Sequence, residues 1–233
     1  MKAIILAAGK GSRISDDIGP VPKSTLELKG KPIIRSTVEM LVENGIEVAV
    51  CTGYRFEMVH NALTGLSVKF FNNPFYNLMN NIGTLWFAKE FMDDECMIIS
   101  ADVVFDQTML NRVLEVKNDL LMVTDSARIN DGDYFFTLDN HGRIVNYGPD
   151  IAPGQRSCEY VGLSKIGKNA IRAFKNQLEK MINEGNNQVY FEYVFFSFIN
   201  NPDYQLKTID VSGCTWREID RIEDYRKALA QFK

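Results

Sequence analysis

Short unbroken apolar runs alternate with segments of helical periodicity along most of this chain. Residues 2–7 (KAIILA), 46–51 (IEVAVC), 96–100 (CMIIS) and 119–124 (DLLMVT) are rich in β-branched or large apolar side chains, the pattern of strands covered on both faces. Between the first two, Ile33, Ile34, Val38, Leu41 and Val42 recur at helical spacing, with Pro32 opening the helix and Asn44 and Gly45 closing it. Strand, helix, strand in this order predicts an α/β fold: a Rossmann-like, doubly wound, mostly parallel sheet flanked by helices.

After Ser126 the texture changes. GDYFFTLDNHGRIVNYG reads as two short strands around a turn at Asn140, His141 and Gly142, a small β-hairpin insertion at about 130–150. CEYVGLSKI follows as a strand, then a long helix from about Lys168 to Asn183 and a second apolar helix, QVYFEYVFFSFI, whose aromatic residues mostly fill core space. LKTIDV is a strand, and a helix from Arg221 to about Phe232 ends the chain. No repeat or long linker divides the sequence, so residues 1–233 are expected to form one domain that includes the hairpin.

The 233 residues are 45% hydrophobic and 24% charged, enough to bury a full core. The net charge of −4 is spread without a long block of one sign, which gives no electrostatic reason to expect nucleic acid as a partner. The first apolar run is too short for a signal peptide or a membrane span, so a cytoplasmic location without membrane association is expected. Cys51, Cys96, Cys158 and Cys214 are widely separated, and His60 and His141 lack partners at zinc-site spacing. Reduced, mostly buried cysteines and no structural zinc are expected. The oligomeric state stays open between monomer and homodimer.

Candidate chemistry begins at ILAAGKGSRISDDIGPVPK, residues 5–23. A strand running into Ala7, Ala8, Gly9, Lys10, Gly11, Ser12 and Arg13 sets small residues where backbone N–H groups converge on an anion. Two common phosphate loops are excluded. A dinucleotide fingerprint requires glycine where Ile14 stands and a helix directly after it, whereas SDDIGPVP is polar and turn-forming. A Walker loop requires GxxxxGK followed by Ser or Thr, which this loop never supplies. Instead, Ser12 and Arg13 can reach the β- and γ-phosphates of a nucleoside triphosphate, while a return stiffened by Pro20 and Pro22 brings Lys23 near the reacting phosphorus.

Triphosphate chemistry calls for carboxylates that hold a divalent cation. Asp102 follows the strand IIS at the carboxyl edge, where open α/β sheets bind ligands; Asp106, four residues on, suits a helix N-cap. Asp220 has two readings. It fits a capping box with Glu223 at the start of the last helix, or it joins Asp102 as a second metal ligand.

LAAGKGSR, the Pro22 and Lys23 pair, SAD ending at Asp102 and EID ending at Asp220 resemble the signatures of nucleotidyltransferases that activate small phosphorylated compounds and sugar 1-phosphates. The resemblance covers essentially the whole chain. VKF, FNNPFYNLMNNIGTLWFAKE and IDRIEDYRKA are most similar to the phosphocholine cytidylyltransferases of bacterial cell-surface decoration. The resemblance implies that Leu6, Ala8, Gly9, Gly11 and Ser12 line the nucleotide and Tyr54 lies near its base. It implies that Arg13 faces the departing pyrophosphate, Lys23 bridges nucleotide and acceptor phosphates, and Asp102 and Asp220 hold Mg²⁺. CTP is the implied triphosphate and phosphocholine the implied acceptor, whose phosphate attacks the α-phosphorus in line. ISDDIG stands where the family commonly continues Leu, then Pro and Thr, a departure in the path of this loop.

A quaternary ammonium is held by aromatic faces with a carboxylate. By approximate alignment with the same family, Tyr134 and the pair Glu192 and Tyr193 match its acceptor-binding positions. Tyr134 replaces the Trp expected for choline, and with Asp131 and Asp133 nearby a primary amine such as ethanolamine phosphate or aminoethylphosphonate is an alternative. Glu159, in E-x-x-G with Gly162, matches an acid that contacts sugar hydroxyls in sugar-activating relatives, so a sugar 1-phosphate is the runner-up. Asn80 and Asn81 either bind polar groups of the acceptor or cap the next helix. A nucleotide-binding regulator without turnover is the reading from a different class.

Overall fold

The computed structural model describes residues 1–130 and 132–232; Asp131 lies outside them. In chain order the strands are β1 (Lys2–Ala7), β2 (Glu27–Leu28), β3 (Lys31–Pro32), β4 (Glu47–Thr52), β5 (Val68–Asn72), β6 (Cys96–Ser100), β7 (Val103–Phe105), β8 (Leu120–Asp125), β9 (Phe135–Leu138), β10 (Ile144–Gly148), β11 (Cys158–Ile166), β12 (Leu206–Asp210) and β13 (Trp216–Glu218). The helices are α1 (Ser15–Ile18), α2 (Ile33–Glu43), α3 (Phe56–Ala62), α4 (Asn81–Phe87), α5 (Gln107–Glu115), α6 (Ile171–Asn183), α7 (Glu192–Phe196) and α8 (Ile222–Gln231).

The main sheet runs β10-β9-β11-β6-β1-β4-β5, with β8 paired to β11 and β12 paired to β8. β6, β1, β4 and β5 are mutually parallel, as are β8 and β12. β11 runs antiparallel to its three neighbours β6, β8 and β9. Side chains alternate across the central strand as the period of two requires. Ile4 and Leu6 enter the apolar layer beneath α4, α6 and α7, while Ala3, Ile5 and Ala7 enter the layer beneath α2, α3 and α5. The four apolar runs are therefore continuous because both faces are covered.

Local signals set most boundaries. Pro32 precedes α2 as its N-cap, Asn44 is the C-cap, and Gly45 takes φ of 73° to end the helix. The hairpin of β9 and β10 turns on Asp139, which accepts hydrogen bonds from the N–H groups of His141 and Arg143 and pairs with the Arg143 side chain. Those bonds from Arg143 are the main reason its carboxyl is held down at about 2. Two expectations are corrected. Residues 188–199 form helix only over Glu192–Phe196, and α6 begins at Ile171 rather than near Lys168. In the first case Phe191, Val194 and Phe195 are buried while Tyr190 and Tyr193 are exposed, so the segment is a short packed turn rather than a helix apolar all round.

Cys51, Cys96 and Cys158 are buried free thiols, and Cys214 is half-buried. Among the described residues no helix is long and apolar enough to cross a membrane.

Asp106 caps α5: its carboxylate accepts from the Met109 N–H at 2.9 Å and from the Thr215 N–H at 3.2 Å, tying the helix start to the approach to β13. Asp106→Ala is expected to lower the unfolding free energy by about 1–2 kcal/mol in a urea titration. An unchanged midpoint and slope would remove the cap from the account of this helix.

Candidate active site

β1 delivers the glycine loop to the carboxyl edge of the sheet, where Leu6, Ala8, Gly9, Gly11, Ser12 and Arg13 line a cleft of 780 Å³. Gly11 has φ of 63°, and a Cβ on it would stand 2.5 Å from Cγ of Lys23. Glycine thus both permits the turn and lets the lysine stem lie across the loop. Ile14 is fully buried against the small apolar cluster of Leu28, Ile33 and Ile219. That anchor occupies the place of a third fingerprint glycine and precedes the single helical turn α1, in the stretch read from the sequence as turn-forming. The chain then returns through Pro22 to Lys23, the first residue of a 3₁₀ turn.

The carboxylates arrive from two strands that pair with each other. β13 runs antiparallel to β7 with Glu218 opposite Val103, and the Ile219 N–H donates to the Asp102 carbonyl at 3.0 Å. Carboxylate oxygens of Asp102, Glu218 and Asp220 consequently lie within 4.8 Å of one another. Lys23 Nζ sits 2.5 Å from Asp102 Oδ2 and 2.7 Å from Asp220 Oδ1. Arg13 pairs with Oδ2 of Asp220 and stands 3.9 Å from Asp133. Burial, and after it the charge of Asp102, push the Glu218 carboxyl up to about 8.

The capping-box reading of Asp220 is corrected. Arg221 is the N-cap of α8, and Asp224, not Glu223, accepts from the backbone N–H of Arg221 at 2.9 Å and of Asp220 at 3.3 Å. With the helix start satisfied by Asp224, the Asp220 side chain turns to the two cations instead. Three hard oxygen donors in this arrangement are a set that suits a divalent cation such as Mg²⁺. Glu218 was not singled out from the sequence, although its i,i+2 spacing from Asp220 in extended chain sets both on one side.

Asn80, Asn81, Tyr134, Glu192 and Tyr193 also line the cleft, with Asp150 and Tyr190, while Tyr76 lines it close to Ala8 of the glycine loop. Asn80 caps α4, its Oδ1 accepting from the Asn81 N–H at 2.7 Å, and its amide donates to the Gln188 carbonyl. Asn81 Oδ1 accepts from the Phe191 N–H at 2.7 Å. The two asparagines therefore dock the segment that carries Glu192 and Tyr193. Tyr134 stacks parallel to Phe196 with centroids 6.4 Å apart, and Tyr193 meets Phe196 edge-on at 5.7 Å.

Tyr54 and Glu159 lie outside the cleft lining. The Tyr54 N–H donates to the Ala8 carbonyl at 3.0 Å and its ring leans on the cleft-lining Tyr76, so its backbone is tied to the glycine loop and its ring packs beside the lining. Glu159 is buried and forms an ion pair with Arg128 at 2.8 Å. Arg128 in turn lies 4.4 Å over the ring of Trp216, whose Nε1 donates to Asp125 at 2.7 Å. This clamp joins the loop before the hairpin to the strand that carries Glu218.

Residues 3–157 match the family model of the MobA-like NTP transferase domain. The chain belongs to this family. It is 30% identical over 247 residues to a CTP:phosphoglutamine cytidylyltransferase of Campylobacter jejuni, spanning 96% of this chain and 97% of that one. It is 24% identical over 226 residues to a 2-aminoethylphosphonate cytidylyltransferase of Lancefieldella rimae, spanning 95% and 89% of the two. The fold is similar to the solved structure of a CTP:phosphocholine cytidylyltransferase from Streptococcus pneumoniae, with a TM-score of 0.81 at 23% identity over 100% and 99% of the chains. The protein is a nucleotidyltransferase of the MobA-like family.

Burial raises the Glu192 carboxyl from an ordinary 4.5 to about 8, with Asn81 opposing the shift through a hydrogen bond. The folded protein thus keeps a proton that the unfolded chain has released, and stability falls as pH rises from about 4.5 to about 8. Glu192→Gln is expected to be the more stable protein at pH 8, by on the order of 2 kcal/mol, with the difference vanishing near the unfolded value. Thermal unfolding of both proteins across that range checks this; a difference independent of pH would contradict it.

Proposed function

We propose that this nucleotidyltransferase is a Mg²⁺-dependent cytidylyltransferase that joins CMP from CTP to a small phosphorylated, or phosphonate-bearing, amine and releases pyrophosphate. The observation that carries the reading is the division of one cleft: Lys23 and Arg13 among carboxylates at one end, tyrosines with a buried acid at the other. Anionic phosphates belong at the first end and a cationic group at the second. Phosphocholine, the acceptor that the sequence resemblance implies, is one member of this class. The Campylobacter jejuni and Lancefieldella rimae relatives, named for phosphoglutamine and 2-aminoethylphosphonate, extend it to other phosphoryl and phosphonate compounds. CTP rests on the names of these relatives.

The mechanism is in-line displacement. A phosphomonoester has its second pKa near 6 and arrives mainly as the dianion at neutral pH, so the site needs no general base to create the nucleophile. Backbone N–H groups of the glycine loop hold the triphosphate. Lys23 reaches both phosphates and stabilises charge that develops on the α-phosphoryl group, while Arg13 faces the departing pyrophosphate. Asp102 and Asp220, with Glu218, would hold the divalent cation, which supplies Lewis-acid neutralisation of the phosphate oxygens. Lys23 and Arg13 already pair with Asp102 and Asp220, so binding of a triphosphate exchanges charged partners instead of bringing uncompensated charge into the cleft.

A sugar 1-phosphate acceptor fits less well, because the acid expected to meet sugar hydroxyls, Glu159, is engaged by Arg128 away from the cleft lining.

Pyrophosphate release measured for the four triphosphates crossed with phosphocholine, phosphoethanolamine, 2-aminoethylphosphonate and sugar 1-phosphates tests the assignment. Turnover is expected with CTP and an amine and is expected to cease without Mg²⁺. Lys23→Ala and Asp102→Ala are expected to lower kcat by about 10²–10³-fold or more in protein that retains its fold by circular dichroism. Near-normal turnover of either folded variant would sink the roles assigned here.

A further inference from the structure

Glu159 sits where three strands meet, opposite Asp125 of β8 on one side of β11 and Phe135 of β9 on the other. Its neighbour Tyr160 lines the cleft, so the alternation of the strand turns Glu159 away from it. The acid is 2% exposed, and part of what covers it is backbone. A Cβ on Gly132 would stand 2.3 Å from Cδ of Glu159, and the Asp133 N–H donates to the carboxylate. Glycine is what lets the chain lie this close to the acid. Asp133 and Tyr134, which follow it, line the cleft, and Asp133 stands 3.9 Å from Arg13 of the glycine loop.

On its other side the carboxylate meets Arg128, whose Nε stands 2.8 Å from Oε2 in an ion pair that lies off the line of a hydrogen bond. The guanidinium of Arg128 lies 4.4 Å over the ring of Trp216, and Trp216 Nε1 donates to the buried Asp125 at 2.7 Å. Trp216 heads β13, the strand that presents Glu218 and leads to Asp220. One buried series of contacts therefore runs from the wall of the cleft that carries Asp133 and Tyr134 to the wall that carries the carboxylates. A buried ion pair is costly to break, because the partner left behind is uncompensated. Placement errors of about 1 Å, from changes remote from the reacting atoms, lower rates by on the order of 10²-fold. We propose that Glu159 is a positioning residue, which ties Gly132, Asp133 and Tyr134 to β13 through Arg128 and Trp216 so that the two walls of the cleft keep one spacing. The inference rests on the transferase reading above and adds to it a residue that acts through others instead of touching substrate.

An optical signal and steady-state kinetics test this separately. The chain has two tryptophans, so Trp86→Phe leaves Trp216 as the emitter. In that protein Gly132→Ala drives a methyl group against Glu159 and is expected to shift the emission of Trp216, although Glu159 and Arg128 stand between the two residues. In an Arg128→Met background the same change is expected to shift nothing further. Glu159→Gln, which keeps the shape and removes the charge, is a second variant held to the same outcomes, and circular dichroism confirms the fold of each. Emission unmoved by both changes, or moved equally with and without Arg128, overturns the proposal. With CTP and an acceptor that turns over, Glu159→Gln is expected to raise both the acceptor KM and the Mg²⁺ concentration for half-maximal rate by about 10-fold or more. Arg128→Met is expected to do the same, and the double variant to be no worse than either single one. Losses that multiply overturn the proposal and point to direct contact between Glu159 and substrate. A fall in kcat alone overturns it too, as the mark of a smaller folded fraction. If no acceptor turns over with any triphosphate, the transferase reading fails, and the emission measurements by themselves decide whether the two walls are coupled.

Discussion

The site depends on one ammonium group placed between two carboxylates. Unit charges on Asp102 and Asp220, whose carboxylate oxygens lie within 4.8 Å of each other, repel by at least about 3.5 kcal/mol at an effective dielectric of 20. Lys23 stands at 2.5 and 2.7 Å from these two acids, where the same dielectric gives an attraction of roughly 6 kcal/mol for each contact. Desolvation offsets part of every such figure. The order is nevertheless set by distance, and the short attractions outweigh the longer repulsions. A cation in that position is the condition for acids from separate parts of the chain to share one cleft.

Much of the remaining architecture serves to put Lys23 there. Gly11 clears the path of its stem, Ile14 pins the loop into a small apolar cluster, and Pro22 leads directly into the turn that presents it. From the other side, the pairing of β13 with β7 carries Glu218 and Asp220 past Asp102. Trp216, at the head of β13, is held by Asp125 and covered by Arg128, so the strand is fixed at its origin as well as at its end. Asp224 satisfies the start of α8 and leaves Asp220 available. Precise placement of charge, rather than an acid–base pair, is what phosphoryl chemistry asks of a protein.

The part of the cleft around Glu192 and Tyr134 is built on a different principle. There the two asparagines hold a short segment against α4 by hydrogen bonds, and an aromatic cluster around Phe196 fixes the tyrosines from behind. Burial of Glu192 carries an electrostatic cost, visible in its raised pKa. Such a cost is common where a protein prepares a site for a charged partner. Glu159 bears a similar burial, its carboxyl pushed up to about 7 against the lowering effect of Arg128, but its partner belongs to the chain. Glu159 is thus an acid paired within the chain by Arg128.

The sequence by itself determined the strands that are covered on both faces, the helix between Pro32 and Gly45, the hairpin, and the glycine loop with Arg13 and Lys23. These are properties of local spacing: backbone conformation and two-sided burial leave their period in the residue order. It also named Asp102 and Asp220, but could not choose between a cap and a ligand for Asp220, because Asp224 competes for the same helix start and only a folded chain shows which acid reaches it. Glu218 went unnoticed since a lone acid in a short strand has no signature until that strand is paired. Glu159 looked like a contact for substrate until Arg128 and Trp216 arrived from distant segments to claim it. What the tertiary structure decided was partnership, because the energy of a charge or a polar atom depends on what surrounds it in space, and that neighbourhood is assembled from residues the sequence keeps far apart.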